Sequence, residues 1–198
     1  MRLADVPTVA AIERWVFASP WSPNAFAYDL TRRQDARYLV ARYLPWVHSE
    51  PADAADRNCD PSIMGYAGGW FIIDEAHIAT IAVRPEWRGR GVGELLFTGL
   101  LRWAIAQGAS YALLEVRVSN IAAQHLYAKY GLEVVGRRRR YYTDNHEDAL
   151  LMTVAGLNSP AYVEQLAARE AALAIRLRQT LGTPPPVLQA LAAIPIAY

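Results

Sequence analysis

Apolar residues recur along this chain at helical spacing in some stretches and at strand spacing in others, and the two kinds alternate. Val9, Ile12, Trp15 and Val16 share one helical face behind Asp5, which predicts a first helix capped by Asp5 with Pro7 in its opening turn. Pro20-Trp21-Ser22-Pro23 breaks it, and Ser22 is placed to cap a short second helix through about Leu30. Residues 37–44 read as a strand. From Pro45 to Asp60, prolines and the acids Glu50, Asp53, Asp56 and Asp60 predict a solvated loop. Strands follow at 62–73, where Gly68-Gly69 marks a bulge, and at 75–83. Leu95, Leu96, Leu100, Trp103 and Ala104 are spaced for burial on a helix from Gly91 to about Ala106, with Gly108 suited to stop it. A strand at 110–118 precedes a helix capped by Asn120 that runs through Tyr130 and ends at Gly131; strands at 132–142 and 146–154 follow. Ser159-Pro160 then opens a helix lasting to about Leu181, where Gly182 and Pro184-Pro185-Pro186 stop it.

Strands alternating with single helices, then a terminal hairpin, predict a mixed α/β (α+β) sheet domain over residues 1–154. Residues 155–198 depart from that pattern as a helical C-terminal extension. Its stripe of Tyr162, Leu166, Leu173 and Leu177 is expected to pack on the domain itself.

A chain of 198 residues suffices for one well-cored domain, and 53% hydrophobic with 20% charged residues is a globular profile. The net charge of +1 provides no global field for nucleic acid or an acidic membrane. Cys59 is the single cysteine, so neither an internal disulfide nor a multi-cysteine zinc site can form. No apolar run approaches about 18 residues and no charged-then-apolar leader opens the chain, so a cytoplasmic, soluble protein is expected.

Gly89, Gly91 and Gly93 lie where a strand gives way to a helix. Without Cβ atoms their amides can turn toward an anion, and the helix start adds free N–H groups and a positive dipole end. Arg88 and Arg90 add charge beside them. Ordinary tight turns use the same glycines. A dinucleotide fingerprint would need glycine at position 94, which is Glu94, and the Gly-Lys-Ser/Thr of a P-loop is missing. Glu115 is embedded in the apolar strand Ala112–Val116, where a carboxylate is costly without a task or a partner such as Arg117 two residues on. Tyr127 follows Asn120 by two helical turns, as a core tyrosine or as a proton donor. His77 and His125 read as packing or surface residues, and no spacing suggests a metal.

Arg88-x-x-Gly91-x-Gly93 after Ile81-Ala82-Val83-x-Pro85 resembles the acetyl-CoA loop of the GNAT superfamily of N-acetyltransferases. Pro20-Trp21-Ser22, Leu114-Glu115-Val116-Arg117-Val118-Ser119-Asn120, Ala123-x-x-Leu126-Tyr127-x-x-x-Gly131-Leu132, Arg138-Arg139-x-Tyr141-Tyr142 and Glu147–Met152 resemble its RimI group, the ribosomal-protein-alanine N-acetyltransferases. The likeness spans about residues 1–154. It implies the GNAT fold, a central, mostly antiparallel mixed sheet flanked by helices. It further implies that the backbone of Ile81, Ala82 and Val83 meets the pantetheine arm and thioester. Arg88, Gly89, Arg90, Gly91, Val92, Gly93 and Glu94 would hold the pyrophosphate, and Asn120 would touch the cofactor arm. Glu115 would be the base and Tyr127 the acid. Trp21, Arg138, Arg139, Tyr141 and Tyr142 would lie near the acceptor, a protein or peptide N-terminus such as the alanine of a small-subunit ribosomal protein.

The chemistry agrees with such an acceptor. An α-amine ionises near about 7.7–8.0, so roughly a tenth or more is neutral at pH 7, and the base supplies only about 1.4 kcal/mol; a lysine asks about 4–5 kcal/mol. Other N-termini, lysines or a small amine remain alternative acceptors, and a non-catalytic acetyl-CoA sensor is the alternative class. The Arg137–Arg140 run, if on a strand, splits between two faces rather than forming a nucleic-acid patch.

Overall fold

The computed structural model describes residues 1–43 and 59–181. Its strands are β1 (Ala36–Arg42), β2 (Ile63–Ile72), β3 (Glu75–Val83), β4 (Tyr111–Arg117), β5 (Glu133–Arg138) and β6 (Ala149–Ala155), in one sheet ordered β1-β2-β3-β4-β6-β5. Neighbours are antiparallel except β3 and β4. The helices are α1 (Val6–Val16), α2 (Pro23–Arg32), α3 (Val92–Ala106), α4 (Ile121–Lys129) and α5 (Pro160–Leu181). This is the mixed α/β sheet domain that the strand and helix order predicts, and its mostly antiparallel sheet with flanking helices is the one the family resemblance implies.

Two core layers cover the two sheet faces. Adjacent residues of β2 point oppositely: Tyr66 joins Val9 and Ile12 of α1 and Phe26 of α2, while Ala67 joins Leu96 and Leu100 of α3 and Leu173 and Leu177 of α5. With both faces covered, β2 is buried from Ile63 to Gly69 and shows no polar alternation.

The irregularity expected at Gly68-Gly69 is present, but the extra residue is on the partner strand. Gly68 faces Thr80 and Gly69 faces Ile78, leaving Ala79 unpaired in β3. The bulge lies just beyond the last β3–β4 pair, His77 with Leu113. From there the two parallel strands part, and neither Ile78–Val83 nor Leu114–Arg117 has a strand partner across the gap.

Ser22 caps α2 by accepting from the Ala25 N–H at 3.2 Å, and Asn120 caps α4 through Ala123 in the same way. Gly108 and Gly131 take positive φ (84° and 85°) where α3 and α4 end.

Several local expectations are corrected. Asp5 does not cap α1; it sits in a 3-10 turn, accepts from the Arg2 N–H and pairs with Arg42. Trp15 is 54% exposed, because the buried stripe of α1 continues from Val9 and Ile12 through Glu13. The strand expected over 132–142 stops at Arg138, since Arg140 takes φ +51° and donates its N–H to Asp148. Most of the Pro45–Asp60 loop, and the stop after Leu181, lie outside the described residues.

Candidate active site

The parting of β3 from β4 opens a cleft of about 430 Å³. Its walls are Ile78–Ile81 of β3, Leu114–Arg117 of β4, Asn120 and Tyr127 of α4, the α1–α2 connection with Trp21, and Tyr141 and Tyr142 beyond β5. The backbone along the gap therefore offers donors and acceptors to whatever fills it.

Glu115 projects into this cleft from β4, with a side chain only 6% exposed. Its Oε2 lies 2.8 Å from His77 Nε2 and its Oε1 lies 3.1 Å from Arg138 Nη2. The His77 hydrogen bond lowers its pKa, burial opposes, and Arg138 lowers it further; the net direction is down, so the group is a carboxylate at neutral pH. Arg117, the partner that strand spacing offers, instead pairs with Asp144 and Glu147. Tyr127 enters the same cleft from α4 against the Phe97 ring, 5.0 Å between centroids. Among the described residues its hydroxyl has no hydrogen-bond partner. Burial pushes its pKa up and keeps the phenol protonated.

Below the cleft, β3 runs through Ile81, Ala82 and Val83 into the 88–94 loop. Gly89 and Gly91 hold φ of +71° and +88°, conformations that glycine adopts without strain. The first α3 hydrogen bond is Leu95 N–H to the Gly91 carbonyl at 2.9 Å. The N–H groups of Val92, Gly93 and Glu94 thus precede the helical ladder and, with the positive end of the dipole, suit a pyrophosphate. These donors, continuous with the unpaired edge of β3, fit a long cofactor with an anionic middle and an extended arm.

A family model described as acetyltransferase (GNAT) family matches residues 8–132. The chain belongs to the GNAT acetyltransferase family. A Bacillus subtilis (strain 168) protein, provisionally named a ribosomal protein bS18-alanine N-acetyltransferase, is 40% identical over 154 residues, covering 78% of this chain and 91% of its own length. The Escherichia coli (strain K12) ribosomal protein bS18-alanine N-acetyltransferase is 31% identical over 156 residues, covering 78% and 93%. The crystal structure of the Escherichia coli ribosomal-protein-S18-alanine N-acetyltransferase superposes with a TM-score of 0.61 at 30% identity, covering 79% of this chain and 90% of that one. The chain is thus a RimI-like GNAT acyltransferase.

Within this GNAT cleft the structure brings together Ile81, Glu115, Asn120, Tyr127, Trp21, Tyr141 and Tyr142. Ala82 and Val83 continue β3 below the cleft, and Val92 is buried beneath the loop. Arg88 donates its Nε to the Val83 carbonyl at 3.1 Å, and Arg90 stacks over Trp87. Arg138 reaches the cleft through Glu115, whereas Arg139 does not line it. Glu94 stands in the first turn of α3, and its side chain is held by other elements. Lys129 Nζ (2.6 Å) and Tyr130 Oη (2.7 Å) meet one oxygen and Arg176 the other. Burial pushes its pKa up, but the bonds from Lys129 and Tyr130 outweigh that and hold it ionised, so only its backbone N–H is offered to the loop.

Sequence reasoning missed three cleft residues. His77, read as a packing or surface residue, touches Glu115 because β3 and β4 are parallel neighbours at that point. Trp70 stacks on Trp21 at 5.9 Å and meets the His77 ring edge-on. Glu13 of α1, 2% exposed, accepts from the Trp21 N–H at 3.1 Å and from Tyr66 Oη. Burial pushes its pKa up to about 7 against the Trp21 N–H and the Thr80 hydroxyl. A carboxylate at i+4 from Val9 was the available signal, visible once that face is known to be buried. Among the described residues no three His, Cys, Asp or Glu side chains gather as a metal site, and no helix is long and apolar enough to cross a membrane.

Proposed function

We propose that this protein transfers an acetyl group from acetyl-CoA to the α-amine of a protein N-terminus, with the alanine of a small-subunit ribosomal protein as the acceptor class. The observation carrying this reading is the convergence of Glu115 and Tyr127 on one cleft between diverging parallel strands, directly above a glycine loop at a helix start. The names of the bacterial relatives supply the acceptor.

Acetyl-CoA supplies the acyl group and a thiol leaving group. The amides of residues 88–94 hold its pyrophosphate, and the edge of Ile81–Val83 that faces away from β2 aligns its arm. Glu115 takes a proton from the acceptor ammonium, directly or through a water. Its lowered pKa makes it a weak base, and that suffices because neutralising an α-amine needs only about 1.4 kcal/mol. Tyr127 gives its phenolic proton to the sulfur as negative charge develops there, and regains one from solvent afterward. The neutral amine attacks the thioester carbonyl directly, without an acyl-enzyme: the C–N bond forms, the C–S bond breaks, and the nitrogen releases its extra proton to solvent. Trp21, Tyr141 and Tyr142 flank the opening where the acceptor peptide enters, and Arg138 steadies Glu115.

The test is incubation with acetyl-CoA and an alanine-starting peptide that also carries a lysine, beside its N-terminally blocked counterpart. Mass spectrometry is expected to place one acetyl group on the free α-amine and none on the blocked peptide. Modification of the lysine in both would replace this reading with a lysine acetyltransferase.

A further inference from the structure

Helix α5 begins beyond the family match, which ends at residue 132. Leu166, Leu173, Leu177 and Leu181 are buried in the same core as α3. Glu170 pairs with Arg102 late in α3, whereas Arg176 pairs with Glu94 at its start, so the two helices run antiparallel. The last turns of α5 therefore reach the 88–94 loop.

Three positions of that loop have partners there. A Cβ at Gly91 would stand 3.1 Å from Leu177 Cδ2 and 3.3 Å from Leu173 Cδ1. Thr180 Oγ1 lies 3.3 Å from the Arg90 carbonyl, and Arg176 meets Glu94. The loop contains two glycines at positive φ, each with wide freedom unless something outside confines it. Ordering such a segment at the moment of binding costs affinity, and a preformed loop avoids that cost. The arrangement also turns the acid at position 94 away, between Lys129 and Arg176.

We propose that α5 is a brace: it holds residues 90–94 in their phosphate-binding form and thereby sets the affinity for the coenzyme A moiety. The proposal rests on the cofactor reading above. Arg176, Leu177 and Thr180 are positioning residues, acting through the loop.

The test uses the full chain with three changes: Arg176→Met with Thr180→Val, Leu177→Ala alone, and Glu170→Gln, which loosens α5 from α3 away from the loop. Coenzyme A binding is read by calorimetry, loop mobility by amide hydrogen exchange over 88–94, and KM by peptide turnover. The double variant and Leu177→Ala are expected to weaken coenzyme A binding about tenfold and speed exchange over 88–94, leaving the peptide KM unchanged. Glu170→Gln is expected to bind as the parent does. Parent-like affinity in the double variant, or equal weakening in Glu170→Gln, overturns the brace. Should Leu177→Ala fail to fold, the double variant decides. A parent protein that takes up no coenzyme A removes the cofactor reading itself, and the brace with it.

Discussion

Glu13→Gln isolates the buried carboxyl beside the cleft. In the folded protein Glu13 titrates near 7, against an ordinary value of 4.5, because burial disfavours its charge more than the Trp21 N–H and Thr80 favour it. An acid whose pKa rises on folding contributes stability below the unfolded value and loses it as pH climbs through the folded one. Between about pH 4.5 and 7 the unfolded chain has released this proton while the native chain retains it, so stability falls with a slope near 1.4 kcal/mol per pH unit, about 3 kcal/mol in all. Glutamine is neutral throughout and keeps one carbonyl acceptor for Tyr66 or Trp21. Urea denaturation of both proteins from pH 4.5 to 8.5 measures the difference directly, and carboxylates common to both cancel. The variant is expected to gain on the parent steadily up to about pH 7 and then hold a constant lead of order 2–3 kcal/mol. A gap that stays flat across that range would show that Glu13 is already ionised in its buried site, and the reasoning would fail.

Three further outcomes are expected. Glu115→Gln should lower kcat/KM for an alanine-starting peptide by about 10²–10⁴-fold, the usual weight of a general base, and a loss under threefold would remove Glu115 from that role. Tyr127→Phe should reduce kcat while calorimetric acetyl-CoA affinity stays near that of the parent; lost cofactor binding would mark the residue as structural. Gly68→Ala drives a methyl into the Tyr38 ring, which is held by its bond to Asp29, so thermal unfolding should register a cost of about 1–3 kcal/mol, and an unchanged Tm would contradict that crowding.

Much of the fold is legible locally. Ser22, Asn120, Gly108 and Gly131 each mark a helix end, because capping and left-handed turns depend on the residue and its immediate neighbours. The alternation of β3, the buried stripe of α3 and the start of α5 at Pro160 were readable for the same reason. The site was legible only in part. Glu115 stands out as a charge in an apolar strand, but its partners His77 and Arg138 come from other strands. The side-chain partners of Glu94, Lys129 and Arg176, are fixed only when α4 and α5 are placed around it.

Element order, the glycine loop at the start of α3 and the carboxylate of β4 are properties of the sequence itself, since periodicity and residue type act within a few positions of the chain. The tertiary structure alone decided where β3 leaves β4, which polar groups share the resulting cleft, and that α5 returns to the loop. Those outcomes depend on strand register, on one unpaired residue at Ala79, and on packing between segments as many as 138 positions apart. No local pattern carries that information, because contact energy between distant segments is set only once the sheet has chosen its register.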